Sequence, residues 1–331
     1  MRKEWLIETD GKPLQTVQHF IQDTWTDLDI KAMILPLKKP QDNTWDTEVI
    51  DSTEPLERAN PFTPIMTENI AQQIPQFLES RKGQRVAALL RPCEVRALFA
   101  IEEKTGISLE YLVIFSTDCL GTFPANEFSW RADRKGDPES LAEETLQFSR
   151  QGGIASYRYR TACQLCSQQI AGQGDINIHI VGLPVRHKIM ISAPEEIAGN
   201  ISSFPKAVTN EDTSLVEQHR SVADRMLYRN QQTNTRLSQA MVADTNLNLE
   251  ILVEQLNECG DCQQCMEVCP ICNTFHYKRD ANGQLSRELI AEWMVSCVGC
   301  GMCEENCAKH RPLAAIFSVV RDQLSRLQTE A

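Results

Sequence analysis

Along the first two-thirds of the chain, apolar residues come in short unbroken runs rather than in strict alternation. The runs at 32–35, 86–90, 111–115, 176–181 and 188–192 have the length and the branched or aromatic content of strands. Between them, segments such as 94–103 carry apolar residues at helical spacing. Unbroken apolar strands separated by helices predict an α/β domain whose mainly parallel sheet is covered on both faces. Two stretches, 42–64 and 127–152, are dense in Pro, Asp, Asn, Thr or Gly and read as loops.

The pattern changes at about 207. Gly and Pro disappear as far as 258, and Leu215, Val222, Met226, Leu237, Met241, Leu249, Leu252 and Leu256 recur among polar residues. This predicts a helical linker, broken near 244–246, whose plain role is a spacer. Residues 259–312 then hold nine of the 13 cysteines, and 313–327 form an amphipathic closing helix. The expected organisation is therefore 1–206, an α/β domain; 207–258, the linker; 259–312, a cysteine domain; and 313–331, the closing helix.

With 331 residues, the chain has ample length for two or three units with buried cores. A net charge of −12 supplies no basic stripe for phosphates, so no nucleic-acid partner is expected. The start, MRKEWLIETDGKPLQ, lacks the apolar stretch of a secretory signal, and no run approaches the ~18–20 apolar residues of a membrane span. A cytoplasmic protein without direct membrane insertion is expected. In a reducing compartment, clustered cysteines point to metal ligation or redox chemistry rather than to disulfides.

The C-terminal cysteines fall into two matching halves. CGDCQQCMEVCP supplies Cys259, Cys262, Cys265 and Cys269; CVGCGMCEENC supplies Cys297, Cys300, Cys303 and Cys307. Both read C-x2-C-x2-C-x3-C, the spacing of bacterial ferredoxins, in which the fourth cysteine ligates the other cluster. One [4Fe-4S] cluster is thus assigned to Cys259, Cys262, Cys265 and Cys307. A second is assigned to Cys297, Cys300, Cys303 and Cys269. Structural zinc uses paired C-x2-C knuckles but has no need of a third evenly spaced cysteine and a repeated C-x3-C. An α+β ferredoxin-like dicluster domain follows, with an inserted helix around 285–294 because the gap between the halves is long. Pro270 follows only the first half, and Cys272 is a surplus thiol, read as a buried spare with alternate ligation as the minor reading.

Four further cysteines are scattered: Cys93 in LLRPCEVRAL, Cys119 in FSTDCLGTF, and Cys163 with Cys166 in YRTACQLCSQQ. Cys93 follows one expected strand at a helix start, and Cys119 follows the next. Residues just past the carboxyl ends of parallel strands line the ligand crevice, and a helix start favours thiolate. Spacing alone leaves open one cluster, one zinc, or a mixture of redox and buried thiols. Arg91 and Arg96, flanking Cys93, offset thiolate charge or form salt bridges on the helix. The six histidines are dispersed and read as structural or solvated.

In order and separation, LLRPCEVRAL, STDCLGTF and RTACQLC resemble the beta-subunit family of coenzyme F-420-reducing hydrogenases and formate dehydrogenases, over roughly residues 55–185. The resemblance implies that Cys93, Cys119, Cys163 and Cys166 hold a third [4Fe-4S] cluster beside an FAD. The stretch ANPFTPIMTEN resembles the family's flavin-proximal loop, making Asn60, Phe62, Thr63 and Asn69 candidate flavin contacts. A Pro-bracketed loop with a helix cap is the equal alternative. The family's glycine-rich helix start has no counterpart in TVQHFIQDTWTDLDIKAMILP. No G-x-G-x-x-G or P-loop pattern supports a nicotinamide or nucleotide-hydrolysis site.

The expectation is an oxidoreductase subunit of anaerobic metabolism, a flavoprotein passing electrons between a flavin/[4Fe-4S] site and two C-terminal clusters. Its partners would be a formate dehydrogenase or hydrogenase catalytic subunit, or a heterodisulfide-reductase-like flavoprotein. Two alternatives stand beside it. One is a flavin-free wiring subunit; the other is the iron-sulfur subunit of an anaerobic sulfite reductase or sulfhydrogenase.

Overall fold

The computed structural model describes residues 2–40, 44–153, 158–203, 210–259 and 262–330. Seven strands form one sheet: β1 (Arg2–Glu8), β2 (Met33–Lys38), β3 (Trp45–Ile50), β4 (Val86–Leu90), β5 (Leu112–Thr117), β6 (Ile176–His179) and β7 (Lys188–Pro194). Their order is β1-β7-β6-β5-β4-β2-β3. The four central strands β6, β5, β4 and β2 pair in parallel; β3 at one edge, and β7 and β1 at the other, pair antiparallel.

Burial on both faces explains the unbroken apolar runs. Ala87 and Leu89 of β4, with Val113 and Phe115 of β5, enter the core under the helix Pro13–Asp27. Val86, Ala88 and Leu90, with Leu112 and Ile114, enter the opposite core, under the helices Ile74–Ser80 and Pro92–Thr105. Alternate residues on each strand thus need apolar side chains on both sides.

Both stretches expected as loops contain regular structure. β3 lies within 42–64, pairing with β2 in the register Lys38↔Trp45 to Met33↔Ile50. Its Asp46 and Glu48 make ion pairs with Lys39 and Arg58, so an edge strand reads as polar. The stretch 127–152 is mostly helical, Ala125–Lys135 and Glu139–Gln147, burying Phe128, Ala132, Leu141 and Leu146. Gly136 and Pro138 mark only the joint between the helices. β1, absent from the sequence reading, pairs with β7 over its whole length.

The helix Asn210–Thr245 turns at Asn246, in left-handed conformation (φ 51°), into Leu249–Glu258. It is more than a spacer, because Val222, Ala223 and Met226 belong to the sheet's core. Its approach is close enough that a Cβ on Gly182 (φ +78°) would lie 2.9 Å from Gln218 O. Glycine is required there on both counts. The expected boundary at 206/207 lies outside the described residues.

The cysteine-rich segment is helical, and no strand occurs among the described residues from 249 to 330, against the α+β expectation. The reason lies in how far the duplication reaches. Helix Leu249–Glu258 maps to Arg287–Ser296, and Gln264–Glu267 to Met302–Glu305, a constant 38-residue step that also maps Cys259 to Cys297 and Cys269 to Cys307. Each ten-residue helix is capped alike: Asn248 Oδ1 accepts from Ile251 N (3.0 Å), and Ser286 Oγ from Leu289 N (3.1 Å). Leu252 and Leu256, and their counterparts Ile290 and Met294, meet in one core closed by Leu313–Glu330. Helices therefore cover the cysteine loops where a ferredoxin would use a hairpin. No helix among the described residues is long and apolar enough to cross a membrane.

Candidate metal centres

β4 ends at Leu90, and Pro92 opens the next helix with Cys93 in its first turn. The start is fixed by Glu94, which accepts from Arg91 N (2.7 Å) and from Ile70 N (3.2 Å). β5 delivers Cys119 two residues past its end, and Cys163 and Cys166 sit within and just after the short helix Thr161–Leu165. All four line one cavity, together with Arg91, Thr122, Arg160 and Cys300. Burial, above all, pushes the Cys93 and Cys119 thiols up. Left alone they stay protonated; bound iron is what would displace the protons.

Arg160 and Arg91 line this cavity, and Arg96 stands beside it at Cys166. Arg160, buried, donates from Nε to Thr122 Oγ1 (2.8 Å), lies with Nη2 4.0 Å from Cys163 Sγ, and reaches Met66 Sδ and Met302 Sδ at 3.3 Å each. Burial disfavours its charge, but the fields of Cys163, Cys93 and Cys300 outweigh that and hold the guanidinium above its ordinary value. Arg96 donates to Gln168 O (2.9 Å) and Val298 O (3.1 Å), with Nη2 3.9 Å from Cys166 Sγ. Arg91 donates instead to Thr63 O (2.8 Å) and Ile65 O (2.7 Å), tying down the loop ahead of the site.

In the C-terminal segment, Cys259, Cys262, Cys265 and Cys307 line a second cavity with Arg279, Lys309 and Arg311. Burial, then Cys259, raises the Cys265 thiol to about 11. Arg311 N donates to Cys307 Sγ (3.4 Å). The other four are more enclosed: Cys269, Cys300 and Cys303 are 8%, 9% and 9% exposed. They are electrostatic neighbours, since Cys297, Cys269 and Cys300 all act on Cys303, and burial raises Cys300 to about 12. Cys269 is the exception, held near 7 chiefly by a hydrogen bond from Cys272 and by the backbone N–H groups of Cys272 and Ile271 at the following helix start. The surplus thiol is thus a buried donor to a neighbouring sulfur.

The sulfur spacing bears on which metal these sets suit. Among the described residues, no three cysteine sulfurs lie within 4.8 Å of one another; that closeness occurs only for Asp118, His179 and His219. Tetrahedral zinc with sulfur at about 2.3 Å would need thiolates about 3.8 Å apart. The cysteines at 259–269 and 297–307 have the sequence spacing that could hold an iron-sulfur core.

The Asp118–His179–His219 group has no signal in the sequence, its members lying in three separate segments. His179 bridges Asp118 Oδ1 (3.1 Å) and Ser192 Oγ (2.9 Å), and His219 Nδ1 donates to Val181 O (2.7 Å). Asp118 also accepts from Ala171, Ile180 and Val181 N–H groups at 3.0–3.1 Å. Its binding capacity is spent on the protein, and the group braces the turn that carries Cys119.

The four candidate flavin contacts are all buried. Asn60 Oδ1 accepts from Phe62 N (3.0 Å) and Asn69 Oδ1 from Ala71 N (3.2 Å), while Thr63 Oγ1 and Asn69 Nδ2 have no hydrogen-bond partner among the described residues. These two bonds hold the loop's own turns, and the neighbouring Met66 is the loop residue that lines the cysteine cavity.

The chain matches no protein-family model. Its fold is similar to that of a chain in the F420-reducing [NiFe] hydrogenase complex from Methanosarcina barkeri. The likeness has 12% identity and a TM-score of 0.52, covering 72% of this chain and 92% of that chain. At that identity it is a likeness of fold.

Proposed function

We propose that this chain is an iron-sulfur electron-transfer subunit of a multi-subunit redox complex, of the coenzyme F-420 hydrogenase and formate dehydrogenase beta-subunit type. Three cysteine quartets would hold [4Fe-4S] clusters: Cys93, Cys119, Cys163 and Cys166; Cys269, Cys297, Cys300 and Cys303; and Cys259, Cys262, Cys265 and Cys307. Such clusters take up and release single electrons, at potentials set by burial, charge and hydrogen bonds to sulfur. The observation that carries the reading is Cys300, which belongs to the second quartet yet lines the cavity of the first. The residues' own part is to hold the thiolates, exclude water, and place Arg160 and Arg96 against the sulfurs.

The division at 1–206, 207–258, 259–312 and 313–331, a cytoplasmic setting, and a hydrogenase, formate dehydrogenase or heterodisulfide-reductase-like partner belong to the same proposal. So does FAD near Asn60, Phe62, Thr63 and Asn69, where the unpaired Thr63 Oγ1 and Asn69 Nδ2 favour it. The burial of those four side chains favours the second reading, a flavin-free wiring subunit. Anaerobic purification with iron, sulfide and flavin quantified per chain tests both. About twelve iron with one FAD supports the first, and about twelve without flavin supports the second. About eight iron, or bound zinc, removes the N-terminal cluster.

A further inference from the structure

A cavity of about 650 Å³ opens away from the cysteines. β1 and β6 both run antiparallel to β7, so they end at the same edge of the sheet, the edge at which β5 delivers Cys119. The segments leaving them, 11–15 and 183–187, form two walls, and residues of 139–150 the third. Gly11 N donates to Arg186 O and Thr9 N to His187 O, both at 2.8 Å, which zips the first two walls together. The crevice beyond the carboxyl ends of such strands is where ligands bind in open α/β sheets.

Four features of this cavity suit an anionic ligand. The fifteen-residue helix Pro13–Asp27 begins in it, with no side-chain cap from Lys12, leaving the Leu14 and Gln15 amides without an intrahelical acceptor. Lys12, Arg150 and Arg186 stand exposed on the lining, with no ion-pair partner among the described residues, and His187 is beside them. Of the two carboxylates, Glu139 is held by Lys38 (3.8 Å), and Glu143 faces solvent. Independently, Ser149 lines the cavity at 0% exposure, and its Oγ has no hydrogen-bond partner among the described residues. A buried hydroxyl without a partner is a standing cost that a ligand oxygen removes. Leu146, Leu183 and Val185 give the wall an apolar stretch, beside Gln15 and Gln147.

We propose that this cavity binds a phosphate ester of nucleotide size. Its phosphate lies at the start of Pro13–Asp27 under Lys12 and Arg186, its organic part runs along Leu183 and Val185, and the Ser149 hydroxyl donates to it. The volume falls within the ~300–1,000 Å³ range of small-molecule sites. The site stands whether or not the chain carries a flavin at the cysteine cavity.

Isothermal titration of the full-length protein with ADP, FMN and inorganic phosphate tests it. ADP or FMN is expected to bind in the micromolar range, at least tenfold more tightly than inorganic phosphate. Lys12→Ala with Arg186→Ala is expected to weaken that binding at least tenfold, and Ser149→Ala several-fold, with iron content and circular dichroism unchanged. Failure of both nucleotides to bind, binding indifferent to the double variant, or inorganic phosphate binding as tightly as ADP would each overturn the proposal.

Discussion

Gln263 and Gly301 occupy the same step of the 38-residue duplication: each follows a second cysteine, caps a four-residue helix and is left-handed, at φ 47° and 74°. Their surroundings differ. Gln263 lines the cavity of the exposed Cys262, whereas a Cβ on Gly301 would stand 2.4 Å from the Cβ of Ala162, on the helix that carries Cys163. One half of the duplication therefore faces outward, and the other is pressed against the sheet domain. The spacing of cysteines sets what each half can hold, and packing decides which half meets the N-terminal cysteines.

The largest expected effect comes from removing one thiol in each half. Cys262→Ser is expected to cost about four iron per chain and leave the rest. Cys300→Ser is expected to cost about four and also to disturb the site at Cys93, because it lines that cavity. Iron analysis with EPR of the reduced protein checks this, and identical spectra from the two variants would erase the distinction.

A reciprocal swap is next. Gly301→Gln overpacks against Ala162 and strains a left-handed residue, an expected loss of about 2–4 kcal/mol, while Gln263→Gly is expected to be neutral or stabilising by up to about 1 kcal/mol. Denaturant unfolding measures both; equal effects would mean that the two loops are equally enclosed.

Arg160→Gln removes a buried cation between Cys163, Cys93 and Cys300. The centres proposed at the enclosed cysteines should become harder to reduce by roughly 50–100 mV, with the proposed outward-facing centre unmoved. Redox titration followed by EPR decides, and a uniform shift would point to a general loosening of the fold.

The smallest effect is one of pH. Burial, chiefly, holds His219 below its ordinary value, so the unfolded chain takes up a proton first as pH falls. Its contribution is present above about pH 6.5 and is lost on acidification, up to about 1 kcal/mol between pH 7 and 5.5. Denaturation at the two pH values should show that loss, and His219→Gln should flatten it.

Much of this arrangement was legible in the sequence. The runs at 86–90 and 111–115 read as strands because burial on both faces demands apolar side chains at every position. The set of Cys259, Cys262, Cys265 and Cys307 that meets in one cavity is the set its ferredoxin-like spacing groups. β3 was hidden by Asp46 and Glu48, which an edge strand tolerates, and the helices of 125–147 by the Gly and Pro at their joint. The α+β expectation failed because it rested on the cysteines, whereas the duplicated unit includes a capped helix ahead of each loop. Nothing in spacing announces Arg160, Cys300 beside Cys93, or His179 against His219 (ring centroids 4.8 Å apart), since each depends on contacts between distant segments.

The helix Asn210–Thr245 has a mechanical consequence. Near its start, Val222 and Met226 are locked into the sheet's core; further along, Asn234 donates to Asp322 (3.2 Å) and accepts from Ser318 (3.0 Å) of the closing helix. The helix is thus a girder anchored in both halves. Electron tunnelling falls off steeply with the gap to be crossed, so in the proposed electron-transfer role this bracing would suit a fixed wire of set length rather than a swinging arm that ferries charge between docking positions.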